Sequence, residues 1–164
     1  MVRILGIDPG LGITGWGLVD FDEYRLKHVA HGRIASKASG ETSDRLASIF
    51  KGLSDIIEDH APHEVGVEHV FVNNNPMASL KLGMARGIAL CVPSIMGLKV
   101  SEYTPNKVKK TVVGTGHASK EQISTMVQKL LNCGIVKLDA ADALAIAICH
   151  AHNRNINTIT MDDK

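Results

Sequence analysis

Cysteine is scarce in this sequence: Cys91, Cys133 and Cys149 are odd in number and lie in apolar stretches. This argues against a disulfide framework or a zinc set, and we expect reduced core residues of a cytoplasmic protein. No apolar run approaches a membrane span in length, and residues 1–3 lead into a predicted strand rather than a signal peptide. No internal repeat or linker is found. We therefore expect one domain over residues 1–164, with a weakly ordered tail after about residue 153.

Charge is unevenly distributed along the chain. Apolar residues make up 45% and charged residues 21%, which is typical of a globular protein. Residues 1–68 hold 7 Lys/Arg against 11 Asp/Glu, residues 69–138 hold 9 against 2, and residues 139–164 hold 2 against 4. A basic segment beside acidic ones suits a protein that holds a polyanion near a metal site, although a solvated surface is the simpler alternative.

The hydrophobic pattern predicts an α/β fold in which antiparallel strands come first and strands then alternate with helices. The predicted strands cover residues 3–7, 13–19, 25–35, 65–71 and 100–103. The predicted helices begin at residues 43, 77, 105, 120 and 139, and the fourth has a capping box at Ser119-Lys120-Glu121-Gln122.

Two acids, Asp139 and Asp142, stand at the start of an apolar helix. Positions i and i+3 share a helical face, so both carboxylates point the same way. Paired negative charges beside an apolar core are costly unless a cation joins them. The alternative is purely local: Asp139 as the N-cap and Asp142 as an acid at N3 would both stabilise the helix start. The two explanations are about equal from this segment alone.

Two further acids, Asp8 and Glu68, lie at the ends of apolar strands. Ligand sites in open α/β sheets form at the carboxyl ends of strands, so these acids and the helical pair are expected to converge. A carboxylate-only set selects Mg²⁺ and disfavours zinc, with Mn²⁺ an expected substitute. Two such ions, about 3.5–4 Å apart, would suit phosphodiester hydrolysis.

Five blocks of sequence resemble the RuvC family of Holliday junction resolvases over about residues 1–152. They are Ile4-Leu5-Gly6-Ile7-Asp8-Pro9-Gly10 with Thr14-Gly15, Glu68-His69-Val70-Phe71, residues 80–87, residues 108–114, and Asp139-Ala140-Ala141-Asp142-Ala143-Leu144-Ala145. Five blocks in order make a specific resemblance, whereas the first alone would be weak.

This resemblance implies an RNase H-like fold, with a mixed five-stranded sheet flanked by helices. It also implies a homodimer that makes paired metal-dependent nicks in four-way junction DNA, and a RuvA–RuvB branch-migration complex as partner. The family's catalytic and metal-binding acids fall on Asp8, Glu68, Asp139 and Asp142. Its cleavage lysines fall on Lys109 and Lys120, and its junction-stacking aromatic falls on Phe71.

Other residues receive weaker assignments. Lys81, Arg86, Lys107 and Lys110 belong to the basic segment and are candidates for DNA contact. The small-residue stripe of Ser79, Gly83, Gly87 and Cys91 permits close backbone approach, and from the residues alone we expect it to face the sheet. The family's dimer helix occupies the same region, so contacts with the sheet and with a second subunit, on different faces of the helix, both stay open.

Two other functions are considered. The turn at residues 8–12 resembles the phosphate-cradling hairpin of actin-like and sugar-kinase-like ATPases, but those need two such domains and this chain is too short. A non-catalytic junction-binding module is the second, and four acids at a DNA-facing surface argue against it.

Overall fold

A computed structural model describes residues 1–69 and 75–154 of the chain. Its centre is a five-stranded mixed sheet in the order β3-β2-β1-β4-β5. β2 runs antiparallel to β1 and β3, whereas β4 is parallel to β1 and to β5. This confirms the predicted α/β architecture. The strands are β1 (Val2–Asp8), β2 (Ile13–Asp22), β3 (Arg25–Ala35), β4 (Glu64–Glu68) and β5 (Lys99–Tyr103).

Helices cover both faces of this sheet. They are α1 (Thr42–His60), α2 (Pro76–Ile95), α3 (Pro105–Val113), α4 (Lys120–Leu131) and α5 (Leu138–Asn153). One core cluster lies between the sheet and α3, α4 and α5, and another lies between the sheet and α1 and α2. The predicted capping box at Ser119 is present, with both reciprocal hydrogen bonds between Ser119 and Gln122 formed.

Alternation along β1 decides which residues face α5. Leu5 and Ile7 are buried in the core beneath α1 and α2, whereas Ile4 is buried in the core beneath α5. Since side chains alternate between the two faces of a strand, Gly6 and Asp8 share the face of Ile4. The strand therefore directs Asp8 toward α5.

Two glycines allow α5 to lie directly on the sheet. A Cβ atom on Gly6 would sit 2.0 Å from the carbonyl oxygen of Ala143, and one on Gly15 would sit 2.0 Å from that of Asp139. Any larger residue would push the helix away. Gly15 is also the β2 partner of Asp8, so this close approach brings Asp139 next to the end of β1.

The start of α5 differs from the local alternative considered above. The helix begins at Leu138, and its N-cap is Lys137, which makes no side-chain capping bond. Asp139 is therefore not the N-cap, and Asp142 is not at N3. Helix capping therefore does not explain why these two carboxylates stand at the start of α5.

The stripe on α2 also differs from expectation. A Cβ atom on Gly83 or Gly87 would meet nothing within 4 Å, and Cys91 is exposed. The buried side is instead formed by Ala85, Ala89, Val92 and Pro93. The expectation that the stripe faces the sheet, and that Cys91 is a core residue, was wrong, because small residues fit equally well against a neighbour or at an open surface.

Helix α2 is 20 residues long. It continues to Ile95, with Pro93 inside its last turn. By length and composition alone this helix is apolar enough to cross a membrane, although one such helix is weak evidence of a membrane span. Its buried side packs into the domain core, and Lys81 and Arg86 interrupt the apolar sequence.

Candidate active site

The two strand-borne acids lie at the same edge of the sheet. Asp8 ends β1 and Glu68 ends β4, and these strands are parallel neighbours with Ile7 opposite Val67. Val67, like Ile7, is buried beneath α1 and α2, so Glu68, like Asp8, points to the α5 side. The predicted convergence of these acids at the carboxyl ends of strands is thus a consequence of strand register.

A cavity of about 220 Å³ collects most of the predicted catalytic groups. The first turns of α5 supply Asp142, α3 supplies Lys109, and the start of α4 supplies Lys120. Its walls are completed by apolar residues of the same helices. The titratable side chains that line it are those of Asp8, Glu68, Lys109, Lys120 and Asp142.

The acids in this cavity repel one another strongly. Burial, together with the charges of Glu68 and Asp142, raises the pKa of Asp8 to about 8. Burial and the charge of Asp142 likewise raise the pKa of Glu68, while Lys120 and Lys109 oppose that rise. Burial and mutual repulsion therefore disfavour the ionised forms of these carboxylates, and a bound cation would stabilise them.

Two cationic side chains turn toward the helical acids. Lys120 Nζ donates a hydrogen bond of 2.8 Å to Asp142 Oδ2, and this bond raises the pKa of Lys120. Arg33 Nη1 lies 3.5 Å from Asp139 Oδ2, and Asp139 stands at the rim rather than in the lining of the cavity. Its charge still contributes to the raised pKa of Asp8, so all four acids share one electrostatic site.

Within residues 1–69 and 75–154, no group of three or more His, Cys, Asp or Glu side chains is already arranged to hold a metal ion. The donor chemistry nevertheless fits a hard divalent cation, because every candidate ligand is a carboxylate. A cation bound here would favour the ionised form of these carboxylates and so lower their raised pKa values. Lys120 and Arg33 hold Asp142 and Asp139 in the arrangement described here, so a cation would compete with them.

The predicted DNA contacts lie at several places. Lys107 and Lys110 line a second cavity on α3, and Lys107 Nζ stands 5.6 Å from the ring centroid of Tyr103. Lys81 is exposed on α2, whereas Arg86 of the same helix is hydrogen-bonded to Glu102 of β5 at 3.0 Å. Phe71 lies outside the described residues, as does the tail after residue 154.

A buried polar network behind the site was missed from the sequence. His150 is 1% exposed; its Nδ1 is 2.8 Å from Tyr103 Oη and its Nε2 is 2.7 Å from Glu64 Oε2. Arg154 Nε donates to the same Glu64 oxygen at 3.0 Å. Glu64 shares the α5 face of β4 with Glu68. A histidine within an otherwise apolar helix was the available signal, but its partners come from 47 and 86 residues away.

Comparison with known proteins settles the family. The family model described as "Crossover junction endodeoxyribonuclease RuvC" matches residues 4–150. This chain belongs to the RuvC family. Among its RuvC relatives, the protein of Bartonella quintana is 54% identical over 154 residues, which cover 93% of this chain and 91% of the relative. That of Gluconacetobacter diazotrophicus is 53% identical over 155 residues, which cover 94% and 92%.

Solved structures agree with the family assignment. Thermus thermophilus RuvC in complex with Holliday junction substrate is 28% identical and superposes with a TM-score of 0.89, covering 96% of this chain and 98% of that one. The yeast mitochondrial Holliday junction resolvase Ydc2 has a TM-score of 0.66 at 16% identity, over 97% of this chain and 86% of that one. The latter likeness is one of fold only. The expected RNase H-like fold is thereby confirmed for this RuvC-family protein.

Proposed function

We propose that this RuvC-family protein is a structure-selective endonuclease that resolves four-way (Holliday) DNA junctions by paired metal-dependent nicks. Its biological role would then lie in homologous recombination and DNA repair. The observation that carries this proposal is the meeting of Asp8, Glu68 and Asp142 in one cavity with Lys109 and Lys120, with Asp139 at its rim. Residues from five separate elements converge there.

The cofactor proposed for this site is Mg²⁺, with Mn²⁺ as a substitute and two ions per site. Asp8, Glu68, Asp139 and Asp142 would hold them. Bound ions of this kind activate a water and stabilise the leaving oxygen of a phosphodiester. Burial and neighbouring carboxylates raise the pKa of Asp8 to about 8, so binding of a metal ion by this residue is coupled to release of its proton; the pKa of Glu68 is raised by the same causes.

The lysines act on the substrate side of the same cavity. Lys120 and Lys109 carry positive charge next to the acids, where a scissile phosphate would otherwise be repelled. We assign them to binding and charge stabilisation of that phosphate. Lys107 and Lys110 extend this positive surface along α3, and we assign them, with Lys81 and Arg86, to contacts with the DNA backbone. Phe71 is proposed to stack on a base near the junction centre.

The proposed assembly is a homodimer formed through α2. Its exposed side carries Met77 and Leu80, which are 59% and 54% exposed, beside Met84, Gly83 and Gly87. An exposed apolar side of this kind favours packing against a second helix. Leu80→Glu should yield a monomer in analytical ultracentrifugation, whereas Lys51→Glu, an exposed control on α1, should not. A dimer that survives Leu80→Glu would reject this interface.

Two partners follow from the family membership alone. They are the RuvA–RuvB branch-migration complex and four-way junction DNA, and the proposed location is the cytoplasm. Binding of purified RuvA–RuvB on a junction, in the presence and absence of this protein, would test the first.

The function itself is tested by mapping cuts in a synthetic four-way junction. In Mg²⁺ we expect two symmetric nicks that leave 5′-phosphate and 3′-hydroxyl ends, so that ligase reseals the products directly. A linear duplex of the same sequence should remain almost intact. Equal cutting of both substrates would reject structure selectivity, and no cutting of the junction would reject the function.

A further inference from the structure

A basic groove borders the acidic site next to Asp139. It lies between β3, the loop of residues 132–137 and the first turns of α5, and its volume is about 270 Å³. Its lining residues are His31, Gly32, Arg33, Ile135, Lys137 and Ala140, none of which is acidic. None of them belongs to the DNA contacts assigned above.

Arg33 connects this groove to the acidic site. On β3 it lies opposite Gly15 of β2, and Gly15 in turn lies opposite Asp8. The Arg33 side chain is 34% exposed and reaches Asp139 at 3.5 Å. An ion pair at this distance and exposure is weak, so the guanidinium is available to an anion that competes for it. Its planar fork is well suited to a phosphate.

Lys137 stands on the other wall of the groove. It is exposed and lies two residues before Asp139, and it lines the same groove as Arg33. The loop also exposes Ile135 almost completely, at 96%. A positively charged groove next to the acidic site fits a polyanion such as a DNA strand. When one phosphate lies at the acidic site, the neighbouring phosphate would lie in the groove.

We propose that Arg33 and Lys137 form a phosphate-binding subsite for the DNA strand beside the scissile phosphate. The inference rests on the proposed function, since it takes the acidic cavity as the place of cleavage. The ligand is a backbone phosphodiester, recognised by charge and independent of base sequence. In the absence of DNA, Arg33 rests against Asp139; when DNA binds, Arg33 moves to the phosphate and leaves Asp139 to the metal site.

The test measures junction binding as a function of salt concentration. Asp8→Asn protein with a fluorescent junction in Mg²⁺ serves as the parent, so that bound DNA stays intact. Each phosphate contact contributes about 0.9 to the slope of log K against log salt. Arg33→Gln and Lys137→Gln should each weaken binding several-fold and lower the slope by about 1. Lys129→Gln, an exposed control on α4, should change neither.

A second comparison separates direct contact from an effect through Asp139. Arg33→Gln is introduced beside Asp139→Asn, where the carboxylate no longer carries charge. If Arg33 binds phosphate, its loss still lowers the slope by about 1 in this background. If the effect disappears there, Arg33 acts only by neutralising Asp139, and the subsite is overturned.

Failure of the inference and failure of the function give different results. If both groove variants keep the salt slope of the parent while wild-type protein still nicks the junction, the subsite alone is overturned. Wild-type protein that fails to cut the junction overturns the function. Lys137 is exposed, so its variant provides a second test that does not depend on the packing of Arg33.

Discussion

Lys120 Nζ and Asp142 Oδ2 are joined by a 2.8 Å hydrogen bond between the first turn of α4 and the start of α5. A lysine in the first turn of a helix opposes the helix dipole, so its position is not explained by helix stability. The neighbouring charges of Asp142, Asp8 and Asp139 all favour its charged form. The pair places a permanent cation inside the acidic site, and it keeps Asp142 ordered before metal or DNA binds.

Replacement of this lysine should reduce cleavage much more than binding. For Lys120→Ala we expect junction cleavage to fall about 10²-fold or more, because a charge facing the reacting phosphate is lost. Junction affinity should change only a few-fold, since many other phosphate contacts remain. Single-turnover cleavage and anisotropy binding measure the two quantities. Lys129→Ala, on the same helix, is the matched control; a Lys120→Ala protein that cleaves at the wild-type rate would remove Lys120 from the site.

The contact between Gly15 and α5 should control the position of Asp139. In Gly15→Ala the added Cβ would lie 2.0 Å from the Asp139 carbonyl oxygen, so the helix must move. Such overpacking should lower the unfolding free energy by about 1–3 kcal/mol. Displacement of the Asp139 carboxylate, a proposed metal ligand, should also slow cleavage. Urea unfolding and cleavage assays would show both losses. Gly134→Ala, where the Cβ meets nothing within 4 Å, should be almost neutral; equal behaviour of the two variants would contradict the close approach.

Asp8 should make the metal-free protein less stable as pH rises. Burial and the charges of Glu68 and Asp142 raise its pKa from the ordinary 3.8 to about 8 in the folded state, so between these pH values the folded state binds the additional proton. The unfolding free energy therefore falls as pH rises from about 4 to about 8. We expect Asp8→Asn to be more stable than wild type at pH 8 by about 1–3 kcal/mol, and to lack this part of the pH dependence.

Urea unfolding at pH 5 and pH 8 in a chelator measures this difference directly. Addition of Mg²⁺ should stabilise the wild type at pH 8, because a ligand of the folded state shifts the equilibrium toward it. It should stabilise Asp8→Asn much less. Parallel pH profiles for the two proteins in chelator would argue that Asp8 is not in a crowded anionic site.

Glu64 should have the opposite pH dependence. Its hydrogen bonds with Arg154 and His150 lower its pKa from the ordinary 4.5 to about 2. The stabilisation is therefore complete above about pH 4.5 and is lost as pH falls toward 2. Glu64→Gln should lower the unfolding free energy by about 1–3 kcal/mol at pH 7 and reduce its decline in acid. Acid unfolding of both proteins, followed by circular dichroism, would detect the change. If wild type and Glu64→Gln unfold over the same pH range, the network of Glu64, Arg154 and His150 is contradicted.

Sequence reasoning predicted the elements well and their tertiary partners poorly. The bounds of β3 and the capping box of α4 were correct because both depend on residues close in sequence. Asp8 and Glu68 were correctly expected to meet, because parallel neighbouring strands place their carboxyl ends at one edge of the sheet. Arg33 was not found because its partner Asp139 lies 106 residues away and contact across the fold leaves no local pattern. The stripe on α2 was assigned to the wrong side, because small residues suit both a packed and an open surface.

Cleavage of a four-way junction by wild type and by Asp8→Asn is the most direct test of a shared carboxylate site that binds metal. Both proteins should bind the junction, with Asp8→Asn at least as tight, because one negative charge facing phosphate is removed. Only the wild type should nick it in Mg²⁺, and the Asp8→Asn rate should be lower by 10³-fold or more, by about 4 kcal/mol of transition-state stabilisation. Equal cleavage by the two proteins would contradict the account.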